Sequence, residues 1–314
     1  MARPSQHYVP QFILRRFGVE RRRRHRATYQ VCVRDLIEEK TFHASVADVA
    51  AENGYYQLRK EGRETGGTDW LEEQLAAIET LAAPAVARLA NTFGWLHHTE
   101  EDRVTLSIFL TTLYTRGPRV RRSMIEIPEQ IMESLREDGD ELAPELRRQL
   151  EEMQAADPVP QHAGVIWETA RCCYQAIADR SWWLLVPPVG SRFYCSDCPV
   201  LMENPVPTGH RGNMGLLVRG VMLYLALSPN MMLMVADGVH GIPDRRLHHL
   251  DSMQFRQLQW LAAWHTERFI FGRAPEDLIV PHGAWQHGRR PERVRSSGDS
   301  SVGSSVSPDE GGAA

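Results

Sequence analysis

Residues 6–17 read QHYVPQFILRRF, and this stretch organises the start of the chain. An imidazole, a phenol and a proline fall within four residues, His7 to Pro10, directly before an amphipathic run. Proline is favoured in the first turn of a helix, because the N–H that it lacks would find no partner there. The stretch therefore predicts a short helix over residues 9–17, with His7 and Tyr8 just before it.

The composition is that of a chain large enough to bury a sizeable core. It has 314 residues, 42% of them hydrophobic, and a formal net charge of -4 at pH 7. A slightly acidic chain argues against a general binder of polyanions. Lys40 and Lys60 are its only lysines, so a Schiff-base or general-base lysine would have to be one of these two.

The sequence shows neither a secretory leader nor an apolar stretch fit to span a membrane. Its most apolar window, residues 216–236, is interrupted by Arg219 and by the turn sequence of residues 228–230, and it predicts two short strands. The few cysteines, five in all, favour reduced thiols. We therefore expect a cytoplasmic protein with no membrane partner.

The middle of the chain has the spacing of amphipathic helices. One helix is predicted after Asp69, which would cap it, and the next begins at Thr99 and stops at Gly117-Pro118. The first of these carries an apolar stripe of Leu71, Leu75, Ile78, Ala82, Val86 and Leu89. Residues 120–137, 142–155 and the region of residues 166–177 continue the helical pattern.

Strand patterns lie on both sides of this helical region. Residues 29–33 alternate and predict a hairpin with residues 40–42. Further strands are predicted over residues 181–187, 193–195, 221–227 and 231–235, in one antiparallel sheet, and a last helix over about 251–270. The fold class is therefore α+β, mostly helical, with a small antiparallel sheet built from N-terminal and C-terminal-half hairpins.

The organisation predicted from these patterns is a single α+β domain over residues 1–286. The Gly/Ser-rich segment that follows, residues 287–314, is expected to be a disordered tail. The arginine run from Arg21 to Arg24 is predicted to be a solvated loop, the usual place for such a run.

Several features, in order along the chain, resemble a bacterial family known as domain of unknown function 4238. They are the His-x-x-Pro motif of His7 to Pro10, the pair Tyr55-Tyr56, Glu79, Arg116-Gly117-Pro118, the element Ser196-Asp197-Cys198-Pro199 and Ser228-Pro229. The resemblance covers most of residues 6–272. It implies a mixed fold with a helical middle and β pieces, and it brings no established activity.

Two of these residues carry titratable groups at places suited to chemistry. His7 precedes a helix N-terminus, whose N–H groups favour an anion, and its imidazole can donate, accept or ligate near neutral pH. The alternative is a hydrogen bond to backbone that fixes the entry of the chain. Asp197 follows a strand, where a carboxylate suits metal binding or base catalysis. The alternative is an Asx turn that ends the strand.

Arg116 and Glu79 are polar residues at or beside apolar helix faces. Arg116 follows Phe109 by seven residues, so it lies on the apolar face of its helix and needs a partner. That partner is an acidic core side chain, the carbonyl oxygens of its own last turn, or a substrate anion. Glu79 flanks the apolar stripe of its helix, where it pairs with Arg116 or joins a metal site.

Cys195 and Cys198 have the Cys-x-x-Cys spacing of half a zinc site. A complete site would need two more ligands, for which Cys172, Cys173 and His210 are available in the sequence. Because Cys198 occupies the variable position of the family-like element, we interpret the pair as incidental.

Together these residues predict an enzyme-like domain. In this hypothesis His7 is a general acid, a general base or a ligand, Asp197 orients it or helps to bind a divalent ion, and Glu79 lies nearby. Arg116 and Tyr8 hold an anionic substrate. The combination suits hydrolysis of a phosphate ester or phosphodiester, including one in nucleic acid, with a divalent metal ion as an optional cofactor. The alternative is a non-catalytic ligand- or protein-binding module in which the His-x-x-Pro motif is structural.

Overall fold

The computed structural model describes residues 5–23, 26–56, 70–90, 94–137, 143–155, 158–206 and 215–285. The helices are α1 (Gln11–Arg16), α2 (Trp70–Leu89), α3 (Gly94–His97), α4 (Glu100–Thr115), α5 (Pro118–Glu137), α6 (Pro144–Ala155), α7 (Pro158–Ala178) and α8 (Ser252–His265). The strands are β1 (Ser5–His7), β2 (Val19–Arg23), β3 (Arg26–Asp35), β4 (Lys40–Ser45), β5 (Ala51–Asn53), β6 (Ser181–Val186), β7 (Cys195–Ser196), β8 (Val200–Glu203), β9 (Met222–Ser228), β10 (Met231–Ala236), β11 (Arg246–His249) and β12 (Phe269–Gly272).

The N-terminal sheet is organised around β3. β4 pairs with it antiparallel, from Gln30 opposite Ser45 to Asp35 opposite Lys40, which confirms the predicted hairpin. β2 and β12 pair with successive parts of the same strand. β7 pairs with β12, so the segment around residues 193–195 does not join the later strands as predicted.

The arginine run lies in a strand rather than in the predicted loop. Val19–Arg23 form β2, and Val19 lies opposite Gln30 of β3. The exposed side chains of Arg21 and Arg22 stay in water while their backbone groups pair, which is why charged residues are tolerated in a strand at the edge of a sheet. Arg24 is outside the described residues.

The C-terminal sheet has the strand order β11-β6-β10-β9-β8. Four of its strands are antiparallel neighbours, whereas β11 runs parallel to β6. The α+β class is confirmed, but the prediction of a small antiparallel sheet was wrong. β8, β11 and β12 are each four residues long, too short to show a period, and they pair with segments distant in sequence.

The end of the last helix was also placed wrongly. α8 ends at His265, and the apolar run that begins at Phe269 forms β12 instead of a further helical turn. Four apolar residues fit a buried strand as well as a helix, so only the pairing of Ile270 with Arg34 and with Ser196 decides the matter.

Helix α4 is the centre of the helical layer and packs against α2 and α7. It begins after Thr99, as predicted, with a capping box: the Thr99 side chain accepts from the Asp102 N–H, and the Asp102 carboxylate accepts from the Thr99 N–H. Its apolar face, formed by Leu106, Phe109, Leu110 and Leu113, is buried, with each side chain 1% exposed or less. It ends at Thr115, and Pro118 begins α5, so the predicted stop is confirmed.

The buried side chains of the helices and of both large sheets belong to one continuous cluster. Helix α1 lies between the sheets, because it contacts both β3 and β9, and Ile13, Leu14 and Phe17 are fully buried. Strand β1, directly before it, pairs with β5 and sets His7 opposite Ala51. The opening stretch is therefore anchored on both sides of Pro10, and this anchoring gives His7 a defined position.

Two predictions concern residues outside the described ranges: the Asp69 cap of α2 and the tail over residues 287–314. The domain boundary at residue 286 stays a prediction for the same reason. None of the described helices combines the length and the apolar character needed to cross a membrane.

Candidate functional site

A pocket of about 420 Å³ opens between the start of the chain and helix α2. β1 and α1 supply one wall, α2 supplies another, and the end of α4 reaches its buried side. The polar side chains that line it are those of His7, Gln11, Arg15, Tyr56, Glu72, Glu79, Thr80 and Arg116. Three residues predicted for the site, His7, Glu79 and Arg116, are thus brought together.

Arg116 is the most unusual of these residues, because its side chain is only 1% exposed. It caps the C-terminus of α4, and its Nη1 donates to Glu79 Oε1 over 2.7 Å. This confirms the pairing considered from the sequence. Its Nε and Nη2 atoms are buried and have no hydrogen-bond partner within the described part of the chain.

The two unpartnered nitrogens of Arg116 are suited to bind an anion. Nε and Nη2 form one edge of the planar guanidinium group, and this edge donates two parallel hydrogen bonds to a carboxylate or phosphate. Burying a cation whose hydrogen bonds are not made lowers the stability of the fold, by on the order of 1–3 kcal/mol for each unsatisfied group. The fold therefore holds, in a residue that lines this pocket, a guanidinium edge that is costly to bury and is free to bind an anion.

His7 contributes a second unpartnered atom. Its ring is half-buried, and its Nε2 is buried without a hydrogen-bond partner among the described residues. Burial lowers the pKa of His7, while hydrogen bonding to the backbone of Val46 and Ala47 and the charge of Glu79 partly oppose that shift. The imidazole is consequently neutral around pH 7.

Tyr56 is the third pocket residue with an unpartnered polar atom. Its hydroxyl is buried and unpartnered in the described structure, and burial raises its pKa, so the phenol stays protonated. Its backbone N–H donates to Gln6 Oε1 over 2.6 Å, and Gln6 Nε2 donates to Glu72 Oε2 over 2.6 Å. The buried Gln6 amide thus ties β1, the Tyr56 turn and α2 together behind the pocket.

Sequence reasoning assigned no role in the site to Gln6 or Tyr56, and it gave Glu72 only a helix-capping role, as the capping-box partner of Asp69. Tyr56 was noted as one of a tyrosine pair, and Gln6 as the neighbour of His7. In the sequence, the only feature that marks Gln6 is its position directly before the motif histidine. In the structure it lies in the three-residue strand β1, and its side chain is 1% exposed. That burial is decided by tertiary structure, so no local pattern shows it.

Asp197 lies elsewhere and is fully engaged. Its Oδ1 accepts the N–H of Glu267 at 2.9 Å, and its Oδ2 accepts those of Arg268 at 2.6 Å and Phe269 at 2.8 Å. The side chain is 1% exposed and is not among the residues that line the His7 pocket. Its carboxylate therefore holds the backbone of residues 267–269, between the end of α8 and the start of β12. A catalytic role for Asp197 stays a prediction, which the pocket geometry does not use.

Burial raises the pKa of Asp197 to about 6, although the three backbone amides act in the opposite direction. Tyr8 packs against Tyr55, with the two ring centroids 5.5 Å apart. Burial, and to a smaller degree the charge of Asp197, raise the pKa of Tyr8. Tyr8 does not line the His7 pocket, as expected for the next residue of an extended segment, whose side chain points to the opposite side.

Cys195 and Cys198 are buried free thiols, and burial raises the pKa of both. A zinc ligand must be a thiolate, which such surroundings disfavour. No three His, Cys, Asp or Glu side chains in the described ranges are grouped as metal ligands. His210, considered as a further ligand, lies outside those ranges.

A family model described as "Protein of unknown function (DUF4238)" matches residues 5–276. The match covers most of the chain and every residue of the His7 pocket, and it confirms the resemblance inferred from the opening motif. No curated protein and no solved structure matches the chain significantly.

Proposed function

The chain belongs to the DUF4238 family, and from that premise and the geometry of the His7 pocket we propose that it binds a phosphate ester and hydrolyses it by general acid–base catalysis. One observation carries the proposal. His7, Tyr56 and Arg116 all line the same pocket, and each has at least one buried hydrogen-bonding atom without a partner in the described part of the chain. Buried polar atoms are nearly always paired in folded proteins, so their convergence indicates a polar ligand.

The donor set favours phosphate over carboxylate. The Nε–Nη2 edge of Arg116 is enough to bind both oxygens of a carboxylate. The Tyr56 hydroxyl then adds a third donor, and a phosphate group, with three acceptor oxygens, uses all three. Glu79, paired with Arg116 Nη1, keeps the free edge of the guanidinium in a fixed orientation.

His7 is the group that would move a proton. Its Nε2 has no described partner, and hydrogen bonding to the backbone of Val46 and Ala47 holds the ring. In the proposed tautomer Nδ1 carries the proton, and the lone pair of Nε2 is free to accept another. The lowered pKa keeps that lone pair available at neutral pH, as a general base requires.

In the proposed reaction, a water molecule attacks phosphorus while His7 Nε2 takes one of its protons. The bond between phosphorus and the ester oxygen breaks, and the departing oxygen takes a proton from solvent. The imidazolium then releases its proton to solvent. Arg116 balances the charge on the non-bridging oxygens throughout. A phosphodiester reacts in the same way, so nucleic acid is included as a substrate class, and a divalent metal ion remains an optional cofactor.

A second function, anion binding without turnover, is favoured by the Gln6 contacts. Gln6 hydrogen-bonds to the Tyr56 backbone and to Glu72, so the residues around the His-x-x-Pro motif fasten the N-terminus to α2. In this alternative the motif shapes a binding module. Turnover of a phosphate ester separates the two functions, whereas binding of inorganic phosphate is common to both.

Replacing Arg116 with methionine should weaken ligand binding strongly without unfolding the protein. Losing the two-bond fork is worth roughly 3 kcal/mol, or about a hundredfold in the Kd for inorganic phosphate. The melting temperature should change little, because removing a buried charge with unmade hydrogen bonds offsets the loss of its ion pair with the partly exposed Glu79. Titration calorimetry and thermal unfolding measure the two effects.

The matched control is Arg180→Met, because Arg180 is also a buried arginine, 6% exposed, with one unpartnered nitrogen, but it lies outside the pocket. It should leave phosphate affinity unchanged. A large drop in melting temperature for Arg116→Met with unaltered phosphate binding would show that Arg116 is structural, and the proposed function would be wrong.

Replacing His7 with alanine should remove turnover while retaining phosphate affinity within a fewfold. General-base groups contribute about 10²–10⁴-fold to the rate. For the natural chain, the rate with bis(p-nitrophenyl) phosphate should rise from acid pH to a plateau, with its midpoint below 6.5, because burial lowers the His7 pKa. The substrate has no ionisation in that range.

The exposed His43 provides the control variant His43→Ala, which should change neither rate nor profile. Assays with and without Mg²⁺ or Mn²⁺ show whether a metal ion contributes. Phosphate binding with no hydrolysis of mono- or diesters would establish the binding-module alternative. Absence of both binding and hydrolysis would rule out both functions.

A further inference from the structure

A second cavity, of about 730 Å³, lies between the face of the C-terminal sheet and helix α8. Its floor is a row of three residues on neighbouring strands. Met234 of β10 lies directly opposite both Trp183 of β6 and Tyr224 of β9. Neighbouring strands are about 4.8 Å apart, so the two aromatic residues flank the methionine with roughly 10 Å between their backbones.

Hydrogen bonds hold both aromatic rings in place. Trp183 Nε1 donates to the carbonyl oxygen of Pro243 over 2.6 Å, and the Tyr224 hydroxyl donates to Glu203 Oε1 over 2.5 Å. The polar atoms of both rings are thus hydrogen-bonded to the protein. What Trp183 and Tyr224 contribute to the cavity is the apolar surface of their rings. A third aromatic residue, Trp260 of α8, lines the cavity from the opposite side.

One carboxylate lines the cavity, and Arg246 lies beside it on β11, opposite Trp183, without being a lining residue. Glu203 is its only carboxylate, and neither lysine nor arginine is among the described residues that line it. The two lining histidines have neighbours of their own: His240 Nε2 lies 2.8 Å from Gly220 O, and His248 Nε2 lies 3.3 Å from Gln254 Oε1. The cavity thus combines aromatic faces, a thioether and one negative charge.

Aromatic faces carry negative electrostatic potential and attract cations, most strongly when the cation is poorly hydrated. A carboxylate adds to that potential, and apolar walls suit methyl groups rather than a hydrated ammonium. We propose that this cavity binds an organic cation, a quaternary or methylated ammonium group, with Trp183, Tyr224 and Trp260 around it and Glu203 as its counter-ion. The site shares no residue with the His7 pocket, so it does not depend on the function proposed there.

The experiment compares choline with 3,3-dimethylbutan-1-ol, which has the same shape but carries a carbon in place of the charged nitrogen. The full chain is titrated with each at pH 8, where ordinary imidazoles are neutral, and the indole N–H resonances are followed by NMR. Choline should bind, and the neutral alcohol should bind at least tenfold more weakly.

Variants locate the site. Glu203→Gln keeps an acceptor for Tyr224 but removes the charge, and should weaken choline binding at least tenfold. Trp183→Leu should weaken it at least fivefold. Glu168→Gln removes a carboxylate from the exposed face of α7, far along the chain from the cavity, and His7→Ala alters only the first pocket. Neither should change choline affinity.

Three results would overturn the proposal: no binding of choline, equal affinity for choline and the neutral alcohol, or unchanged choline affinity in Glu203→Gln. Far-UV circular dichroism establishes that each variant is folded. If Glu203→Gln does not fold, the comparison of the two probes on the natural chain and the Trp183→Leu variant decide between support and rejection.

Discussion

Replacing Asp197 with alanine is expected to lower the free energy of unfolding by about 3–5 kcal/mol. The physical reason is that three backbone N–H groups, those of Glu267, Arg268 and Phe269, lose their common acceptor. These groups lie in and beside the start of β12, where water does not readily replace the carboxylate. Urea unfolding at pH 7.5 measures the change.

Asp197→Asn separates geometry from charge. It keeps one acceptor oxygen but turns an NH₂ group towards at least one N–H donor, so we expect a loss of about 2–3 kcal/mol. The exposed Asp48 gives the control Asp48→Asn, with a change within about 0.5 kcal/mol. If both Asp197 variants kept full stability and lost phosphoesterase activity, the carboxylate would belong to the chemistry after all.

Lowering the pH from 6.5 to 4 is expected to unfold the protein through three buried histidines. Burial lowers the pKa of His98, His162 and His265 to about 4. All three residues are 6% exposed or less. An unfolded chain takes up these protons near pH 6.5, so stability is fully present above 6.5 and is lost as pH falls through this window. At 1.36 kcal/mol for each pKa unit, every histidine contributes about 3 kcal/mol.

The titration of Asp197 has the opposite effect on stability as the pH falls. Its folded pKa of about 6 lies above the ordinary value, so native protein binds that proton first, and stability rises by about 3 kcal/mol as pH falls from 6 to below 4. The sum is still a loss of roughly 6–7 kcal/mol, comparable to the whole stability of an ordinary domain. Acid unfolding should therefore begin well above pH 4.

The contribution of one histidine is measurable by substitution. His162 Nε2 lies 2.8 Å from the carbonyl oxygen of Thr115, and His162→Gln keeps an N–H donor there without titrating. Urea unfolding at pH 7.5 and at pH 5 should show a smaller difference in this variant than in the natural chain. The exposed His43→Gln should leave the difference unaltered. A natural chain equally stable at both pH values would contradict the expectation for all three histidines.

The contrast between Asp197 and Arg116 distinguishes the two kinds of buried polar residue in this fold. Each is 1% exposed, yet every oxygen of Asp197 has a backbone donor, whereas two nitrogens of Arg116 have no described partner. From the sequence, both appear as charged residues beside apolar segments. Only the hydrogen bonds in the folded structure distinguish a buried charge that stabilises the backbone from one that is available to bind a ligand.

Local sequence determined both ends of α4 and its buried face. The capping box of Thr99 and Asp102, the stop before Pro118 and the buried stripe of α4 follow from spacing and side-chain chemistry within a few residues. The same holds for the β3–β4 hairpin. Such features depend on neighbours in the chain, so the pattern of residues suffices to predict them.

Tertiary structure decided the strand partners and the site. β12 pairs with β3 across more than two hundred residues, and Gln6 reaches Tyr56 and Glu72 from a three-residue strand. The sequence by itself identified His7, Glu79 and Arg116 as oddly placed polar residues. Which of them share a pocket, and that Asp197 does not line it, depends on long-range packing, because a distance in space is not encoded in local spacing.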